Sequence, residues 1–254
     1  MTRKPSDIEL IASFTDFGST GPYQGQMDAV LALLAPKTPK VTLMTDAPMF
    51  DAQAAGLLLS ALCINMPPHT LYLAIVDPGV GSRRRALMVQ TERSRFVGPD
   101  NGLFVPVVKK SHACEIAAIE WRPERLSESF HGRDLFAPVA AKLANGEEVE
   151  ASPLHVEEMV GFDSLIDRNQ IIYLDHFGNA MTGLDAETID EGTVVSVNGH
   201  ALRHARTFSE VPAGDPFWYR NSIGLIELAV NCGSAAGLLD LALGMSFELL
   251  HDAR

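Results

Sequence analysis

The sequence predicts an α/β domain with a mainly parallel sheet, followed by a smaller antiparallel β-barrel domain. Three observations carry this. In the first half, apolar runs of strand length alternate with stretches of helical spacing, in the order strand, helix, strand, helix, strand. Those runs stop at a carboxylate, at Asp16, Asp46 and Asp77, which is how strands end at the ligand-bearing edge of an open sheet. In the second half the pattern changes to short alternating strands divided by turn residues. The two domains are expected over residues 1–160 and 168–254, with a connection over 147–167 where Pro153 and Glu157-Glu158 interrupt the pattern.

In order, residues 8–14 read as the first strand, leading into a polar, glycine-bearing loop from Thr15 to Gly21. Met27, Val30, Leu31 and Leu34 fall on one helical face, so 23–34 is a helix covering the sheet. Residues 41–45 form the second strand. Asp51 caps a helix running to about Ile64, and Pro67-Pro68 prevents its continuation. Residues 71–76 form a buried strand that Pro78 and Gly79 stop, leaving Asp77 at its carboxyl end. Arg83, Arg84 and Arg85 follow at once, and at least one of them should fold back on the carboxylate. Short β stretches at 86–89 and 95–97 lead into Gly98-Pro99-Asp100-Asn101-Gly102, a tight turn. His131 stands just before a helix over 134–143 that Asn145-Gly146 ends, beside exposed backbone N–H groups that disfavour a protonated ring. Later strands are read at 170–174, 193–197, 201–208, 217–220 and 225–231, with a hairpin at Asn198-Gly199.

Composition narrows the function. The 254 residues carry 20 Lys and Arg against 32 Asp and Glu, a formal charge of −12 that argues against a nucleic-acid partner. Cys63, Cys114 and Cys232 make neither a disulfide framework nor a metal pattern, which points to a reducing cytoplasm. The first residues show no signal-peptide core, and the greasiest stretch, 54–66, is too short to span a bilayer. There is no Gly-x-Ser-x-Gly elbow, no phosphate-binding Gly-x-x-x-x-Gly-Lys loop and no His-Glu-x-x-His zinc motif. What remains is a set of polar groups at strand ends and loops: Asp16, Asp77, one of the three arginines, Asn101, His131, Asp175 and Asn179.

Six blocks carry a resemblance. They are Phe14-Thr-Asp-Phe-Gly18, Val76-Asp-Pro-Gly-Val-Gly81 with its arginines, Gly98-Pro-Asp-Asn-Gly102, Phe130-His-Gly-Arg-Asp134, Asp175-His-Phe-Gly-Asn179, and Asn221-Ser-Ile-Gly224 through Asn231-Cys-Gly-Ser-Ala-Ala236. In this order they resemble the S-adenosyl-L-methionine hydroxide adenosyltransferases, adenosine-forming hydrolases related to the bacterial fluorinase and chlorinase. The resemblance implies that Asp77, Arg84 and His131 hold a water or hydroxide. It implies that Asp16 holds the ribose hydroxyls, with Phe130 among the substrate contacts. Asn179 and an aromatic wall near Phe208 would take the adenine, and Asp175 and Ser222 the methionine moiety. It further implies S-adenosyl-L-methionine as substrate with no cofactor or metal, and a homotrimer whose sites lie between the N-terminal domain of one subunit and the C-terminal domain of the next.

The chemistry agrees with that assignment. A sulfonium leaves as a neutral thioether and needs no general acid, so the task is to align an oxygen nucleophile with C5′. Asp77 and His131 can take or orient the water's protons, while Arg84 lowers the cost of a hydroxide-like oxygen. In the fluorinase the positions matching Asp77 and Gly132 carry a tyrosine and a serine, and the loop matching 89–97 is longer, so hydrolysis is favoured over halide-dependent substitution. A sensor that binds adenosine or S-adenosyl-L-methionine without turnover is the other alternative, and it has no need of the trio. Gly21 stands where the family usually has an acidic residue and Ile223 where the fluorinase has an arginine. The amino-acid tail is then held more weakly, or by Asp175 and Ser222.

Overall fold

The computed structural model describes residues 7–164 and 169–251, with the side chain of His251 excepted. The chain divides into two compact units, one of residues up to Ser60 together with Met66–Ser164, the other of Ala61–Asn65 together with the residues after Ser164.

The first unit is built on β1 (Leu10–Thr15), α1 (Tyr23–Leu34), β2 (Lys40–Met44), α2 (Ala52–Leu62), β3 (Thr70–Ile75), β4 (Ala86–Thr91), β5 (Ser94–Pro99), α3 (Val105–Lys110), β6 (Cys114–Ile119), α4 (Ala137–Ala144) and β7 (Ala151–Leu154). Its seven strands form one mixed sheet in the order β2-β1-β3-β5-β4-β6-β7. The pairs β2-β1, β1-β3 and β3-β5 are parallel, whereas β5-β4, β4-β6 and β6-β7 are antiparallel. Only β4 and β7 therefore oppose the common direction. The stretch expected to be a connection thus holds β7, which pairs with β6 from Ile116↔Leu154 to Ile119↔Ala151 and completes the sheet edge.

Side chains alternate across the central strands as the pleat requires. Leu71, Leu73 and Ile75 face Met27 and Leu31 of α1 and Phe136, Val139 and Ala140 beside and within α4. Between them Tyr72 points the other way and stacks on Phe96, ring centroids 4.9 Å apart. Asp51 caps α2 as its sequence predicts, Oδ1 accepting from Gln53 N at 3.1 Å and Ala54 N at 2.9 Å.

The expected helix over 134–143 begins differently. Residues Gly132–Phe136 form a π-helical turn before α4, with His131 at its head and the Ala137 N–H donating to the Gly132 carbonyl. Pro138 has no N–H for the Asp134 carbonyl, so the ladder widens there.

The second unit carries β8 (Ile171–Leu174), β9 (Ala180–Asp185), β10 (Thr193–Val197), β11 (His200–Leu202), β12 (Pro216–Arg220), β13 (Leu225–Val230), α5 (Ala235–Leu238) and β14 (Glu248–His251). They form two antiparallel sheets, β11-β10-β14 and β12-β13-β9-β8. Isolated bridges at Gln170↔Ser246 and His204↔Trp218 connect residues in and beside these strands, but no continuous ladder closes them into a barrel among the described residues. Asn198 and Gly199, with φ of 48° and 79°, make the expected hairpin between β10 and β11.

The strand expected over 201–208 stops at Leu202. Glu210 is the reason, since its carboxylate takes the backbone N–H of Arg206 at 3.0 Å and Arg206 Nε at 2.7 Å, bending the chain into a turn at Phe208–Glu210. Trp218, 1% exposed, centres the core of this unit and donates from Nε1 to the Thr193 carbonyl at 2.9 Å.

Candidate active site

β1 and β3 are adjacent and parallel, and their last registered pair is Thr15↔Ile75. Asp16 and Asp77 therefore leave the sheet side by side at its carboxyl edge, where loops diverge and a crevice opens. Of the three arginines, Arg84 turns back on Asp77. Its Nε donates to Asp77 Oδ1 at 2.7 Å and its Nη2 to Asp77 Oδ2, a bidentate ion pair whose side chains are 8% and 5% exposed. Arg85 instead binds Asp100, Nε to Oδ2 at 2.7 Å.

Arg84 Nη2 also lies 3.2 Å from His131 Nδ1. A guanidinium has donors only, so this contact is a hydrogen bond when Nδ1 carries the lone pair, and the neutral ring keeps its proton on Nε2. Burial, and then the Arg84 charge, hold the His131 imidazolium below the usual histidine range.

Asp16, Asp77, Phe130 and His131 line one cavity of about 110 Å³ with Phe17, Phe50 and Gly132. Burial raises the Asp16 carboxyl above its ordinary value, and the neighbouring Asp77 charge adds to this, while backbone N–H groups at Asp16 and Phe50 oppose it. Phe130 stands edge-on to Tyr23 and Phe17, centroids 5.3 and 5.9 Å away, and so forms a fixed aromatic wall. Gly132 is tightly enclosed: a Cβ there would meet Ile75 Cδ1 and Phe130 Cε2 at 3.2 Å and Phe17 Cζ at 3.3 Å.

Phe50 escapes sequence reasoning because no motif surrounds it. Its signals are structural, a left-handed φ of 62° and a ring 78% exposed at the cavity lip.

The remaining expected residues belong to the second unit, and they fall into three groups. Asp175 Oδ1 accepts from Phe177 N at 2.9 Å and Asn179 N at 2.8 Å, and Oδ2 accepts from Asn179 Nδ2 at 3.0 Å, so the β8–β9 turn is folded around the Asp175 carboxylate. Phe208 packs edge-on against Phe217 and Tyr219, centroids 5.1 and 5.3 Å away. Ser222 is exposed on a turn that Asn221 organises by accepting from Ile223 N at 3.1 Å and Leu225 N at 2.9 Å.

Glu227 joins the Phe208–Phe217–Tyr219 cluster to that turn. Only 2% exposed, it accepts from Tyr219 Oη at 2.7 Å and Asn221 Nδ2 at 2.8 Å. Burial raises its carboxyl, and the two donors oppose the rise. Burial and this carboxylate together push the Tyr219 hydroxyl well up. A lone carboxylate inside the apolar run Leu225–Val230 was the sequence signal for it.

Among the described residues no group of three or more His, Cys, Asp or Glu side chains is arranged to hold a metal ion, and no helix is long and apolar enough to cross a membrane.

Comparison with known proteins covers both units. Residues 11–152 match the SAM hydroxide adenosyltransferase N-terminal domain and residues 169–248 the SAM hydroxide adenosyltransferase C-terminal domain. The (R)-S-adenosyl-L-methionine hydrolase of Thermus thermophilus is 37% identical over 253 residues, covering 93% of this chain and 97% of that protein. A fluorinase of Nocardia brasiliensis is more distant, 24% identical over 98% of this chain and 99% of its own length. The crystal structure of an uncharacterized conserved protein from Thermotoga maritima superposes with a TM-score of 0.84 at 29% identity, covering 94% of this chain and all of that one.

Proposed function

Since this chain belongs to the S-adenosyl-L-methionine hydroxide adenosyltransferase family, we propose that it performs the corresponding hydrolysis with Asp77, Arg84 and His131 as the groups that place the nucleophile. The substrate is S-adenosyl-L-methionine, the products adenosine and L-methionine, and the bond made is between a water oxygen and C5′. The observation that carries the assignment of residues is the contact of Arg84 with both Asp77 and His131 at the end of β3, those two lining one cavity with Asp16.

Asp77 accepts a proton of the water, and His131 orients it from Nε2. Arg84 fixes both partners and stabilises negative charge on the oxygen. Asp16 takes the ribose hydroxyls and Phe130 walls the sugar. Alignment of the oxygen behind the C5′–S bond supplies much of the rate, on the order of 7–11 kcal/mol for a well-oriented pair. The sulfur departs neutral, so no acid is required of this site and no cofactor is invoked.

In this reading the α/β domain, 1–160, carries the chemistry, and the C-terminal domain, 168–254, the rest of the recognition: Asn179 and Phe208 for adenine, Asp175 and Ser222 for the methionine end. We propose a homotrimer in which the C-terminal domain of a neighbouring subunit completes each site. A solution mass of three chains is the check on that assembly. Cys63, Cys114 and Cys232 form no disulfide among the described residues, in line with a cytoplasmic location. Halide-dependent substitution is not favoured, because Asp77 repels an anion and the packing at Gly132 leaves little room for a serine.

Incubation with the substrate and chromatography of the products tests the function. Adenosine and methionine in equal amounts, at a rate indifferent to added chloride, are expected, and absence of adenosine overturns the reading.

The reaction also has a predictable pH dependence. His131 works as a neutral ring whose protonation is pushed below the ordinary histidine midpoint of 6.5. The rate is therefore flat through neutrality and falls on an acid limb below that value, and Arg84→Met moves the limb upward by removing the neighbouring cation. A limb that stays in place in this variant contradicts the role given to Arg84. Stability follows the same sign. The folded chain binds this proton less readily than the unfolded one, so the contribution of His131 is present above 6.5 and is lost as pH falls through the window beneath it.

A further inference from the structure

We propose that Asp100 and Asn101, consecutive residues of the turn after β5, are positioning residues that hold the Asp77–Arg84 pair in its reactive geometry through the backbone on either side of it. The proposal rests on the reading of Asp77 and Arg84 given above and concerns how they are kept in place.

The need for such a brace follows from where the sheet ends. β3 is registered with β1 as far as Ile75 and with β5 only as far as Leu73. The peptide that delivers Asp77 lies beyond both ladders, and its carbonyl must find another donor. Asn101 supplies it: Nδ2 donates to the Val76 carbonyl at 2.8 Å, while Oδ1 accepts from Leu103 N at 3.3 Å and so fixes the amide's own orientation.

Asp100 does the same on the arginine side. Its backbone N–H donates to the Arg85 carbonyl at 3.1 Å, and that carbonyl also lies 3.3 Å from Arg84 Nη1. Its carboxylate, 2% exposed, takes Arg85 Nε at 2.7 Å and Val160 N at 2.9 Å. Residue 76 is thus held by residue 101 and residue 85 by residue 100, and the spacing between the acid and its guanidinium is set by one turn. Neither Asp100 nor Asn101 lines the cavity that holds Asp16 and Asp77. A bidentate pair has little angular tolerance, and a misplacement of about 1 Å at a reacting centre can cost roughly 100-fold in rate.

Three variants test the brace. Asn101→Asp is isosteric and keeps the acceptor for Leu103 N, but it sets an oxygen against the Val76 carbonyl. Asn101→Ala removes both bonds, and Asp100→Asn keeps the shape while discharging the contact to Arg85. Each is compared with the parent by kcat and KM for S-adenosyl-L-methionine, by thermal melting, and by NMR titration of the His131 ring, which reports whether Arg84 still faces it.

The expected result for Asn101→Asp is a kcat lowered 10- to 100-fold with KM within about threefold, and a His131 midpoint that moves up toward the ordinary value. A kcat within twofold of the parent and an unmoved His131 midpoint overturn the proposal. So does a lower melting temperature with unchanged kcat per folded molecule, which is the signature of a purely structural role. If one variant fails to fold, the other two carry the same comparison. If the parent itself makes no adenosine, the functional reading fails, and the His131 midpoint still decides whether Asn101 and Asp100 hold Arg84 in place.

Discussion

Asp77→Asn is expected to lower kcat for S-adenosyl-L-methionine hydrolysis by roughly 1,000-fold and to leave KM within about threefold. The substitution keeps the shape of the side chain and one acceptor for Arg84 Nε, but it removes the charge to which the proposed mechanism gives the water's proton. It also places an amide N–H against Arg84 Nη2, where two donors meet. The loss is expected on kcat because the proposed mechanism sets Asp77 against the nucleophile and not the nucleoside, so that its contribution is made in the transition state. Steady-state kinetics on protein shown to be folded by its melting curve checks this. An unchanged kcat removes Asp77 from the mechanism. Loss of kcat with a large rise in KM assigns it to binding instead.

Gly98→Ala is expected to be the most damaging change for the fold. Gly98 lies on β5, and a Cβ at this position runs into the Ala74 carbonyl oxygen of β3 and lies 2.8 Å from Phe104 Cζ. The first obstacle is backbone inside the sheet and cannot swing away as a flexible side chain could. Overpacking of ordinary core sites costs about 1–3 kcal/mol, and a clash with buried main chain should exceed that range. At roughly 2–4 °C per kcal/mol for a chain of this size, the melting temperature falls by about 10 °C or more. Calorimetry measures it, and a shift under about 2 °C would mean that β3 and β5 can separate without cost. Gly199 is the internal control, since nothing lies within 4 Å of its Cβ position and only its φ of 79° opposes a side chain.

Much of the first unit was legible because its signals are local. Helical spacing of Met27, Val30 and Leu31 located α1, and Asp51 located the cap of α2. The apolar run ending in Asp77-Pro78-Gly79 placed a carboxylate at the end of β3. Placement of Asp16 beside it follows from strand order, which a sequence read in one dimension suggests only through the alternation of elements. Residues 86–89 and 95–97 carry only the pattern of short β pieces, yet in the sheet they are the start of the antiparallel arm, since the partners β6 and β7 are set by long-range pairing. Residues 151–154 were hidden by Pro153, which an edge strand tolerates because the side on which it lacks an N–H can face away from the partner strand. Two expectations failed for reasons of geometry: the strand from 201 ended early at the Arg206–Glu210 clamp, and the π turn before α4 follows from Pro138.

The site divides in the same way. Motif residues at strand ends announced themselves, but which of three adjacent arginines turns inward depends on the path of a loop, and the spacing left that open. Phe50 and Glu227 act through a backbone angle and a buried contact. Of these, only the lone carboxylate in Leu225–Val230 left a trace in the sequence.

The most direct test of the central claim is turnover in water enriched in oxygen-18, followed by mass spectrometry of both products. Attack by a bound water on C5′ predicts one heavy oxygen in the 5′-hydroxyl of adenosine and none in methionine. Unlabelled adenosine, or label carried by the methionine fragment, would contradict the account, because the oxygen held by Asp77, Arg84 and His131 would then not be the one that forms the new bond.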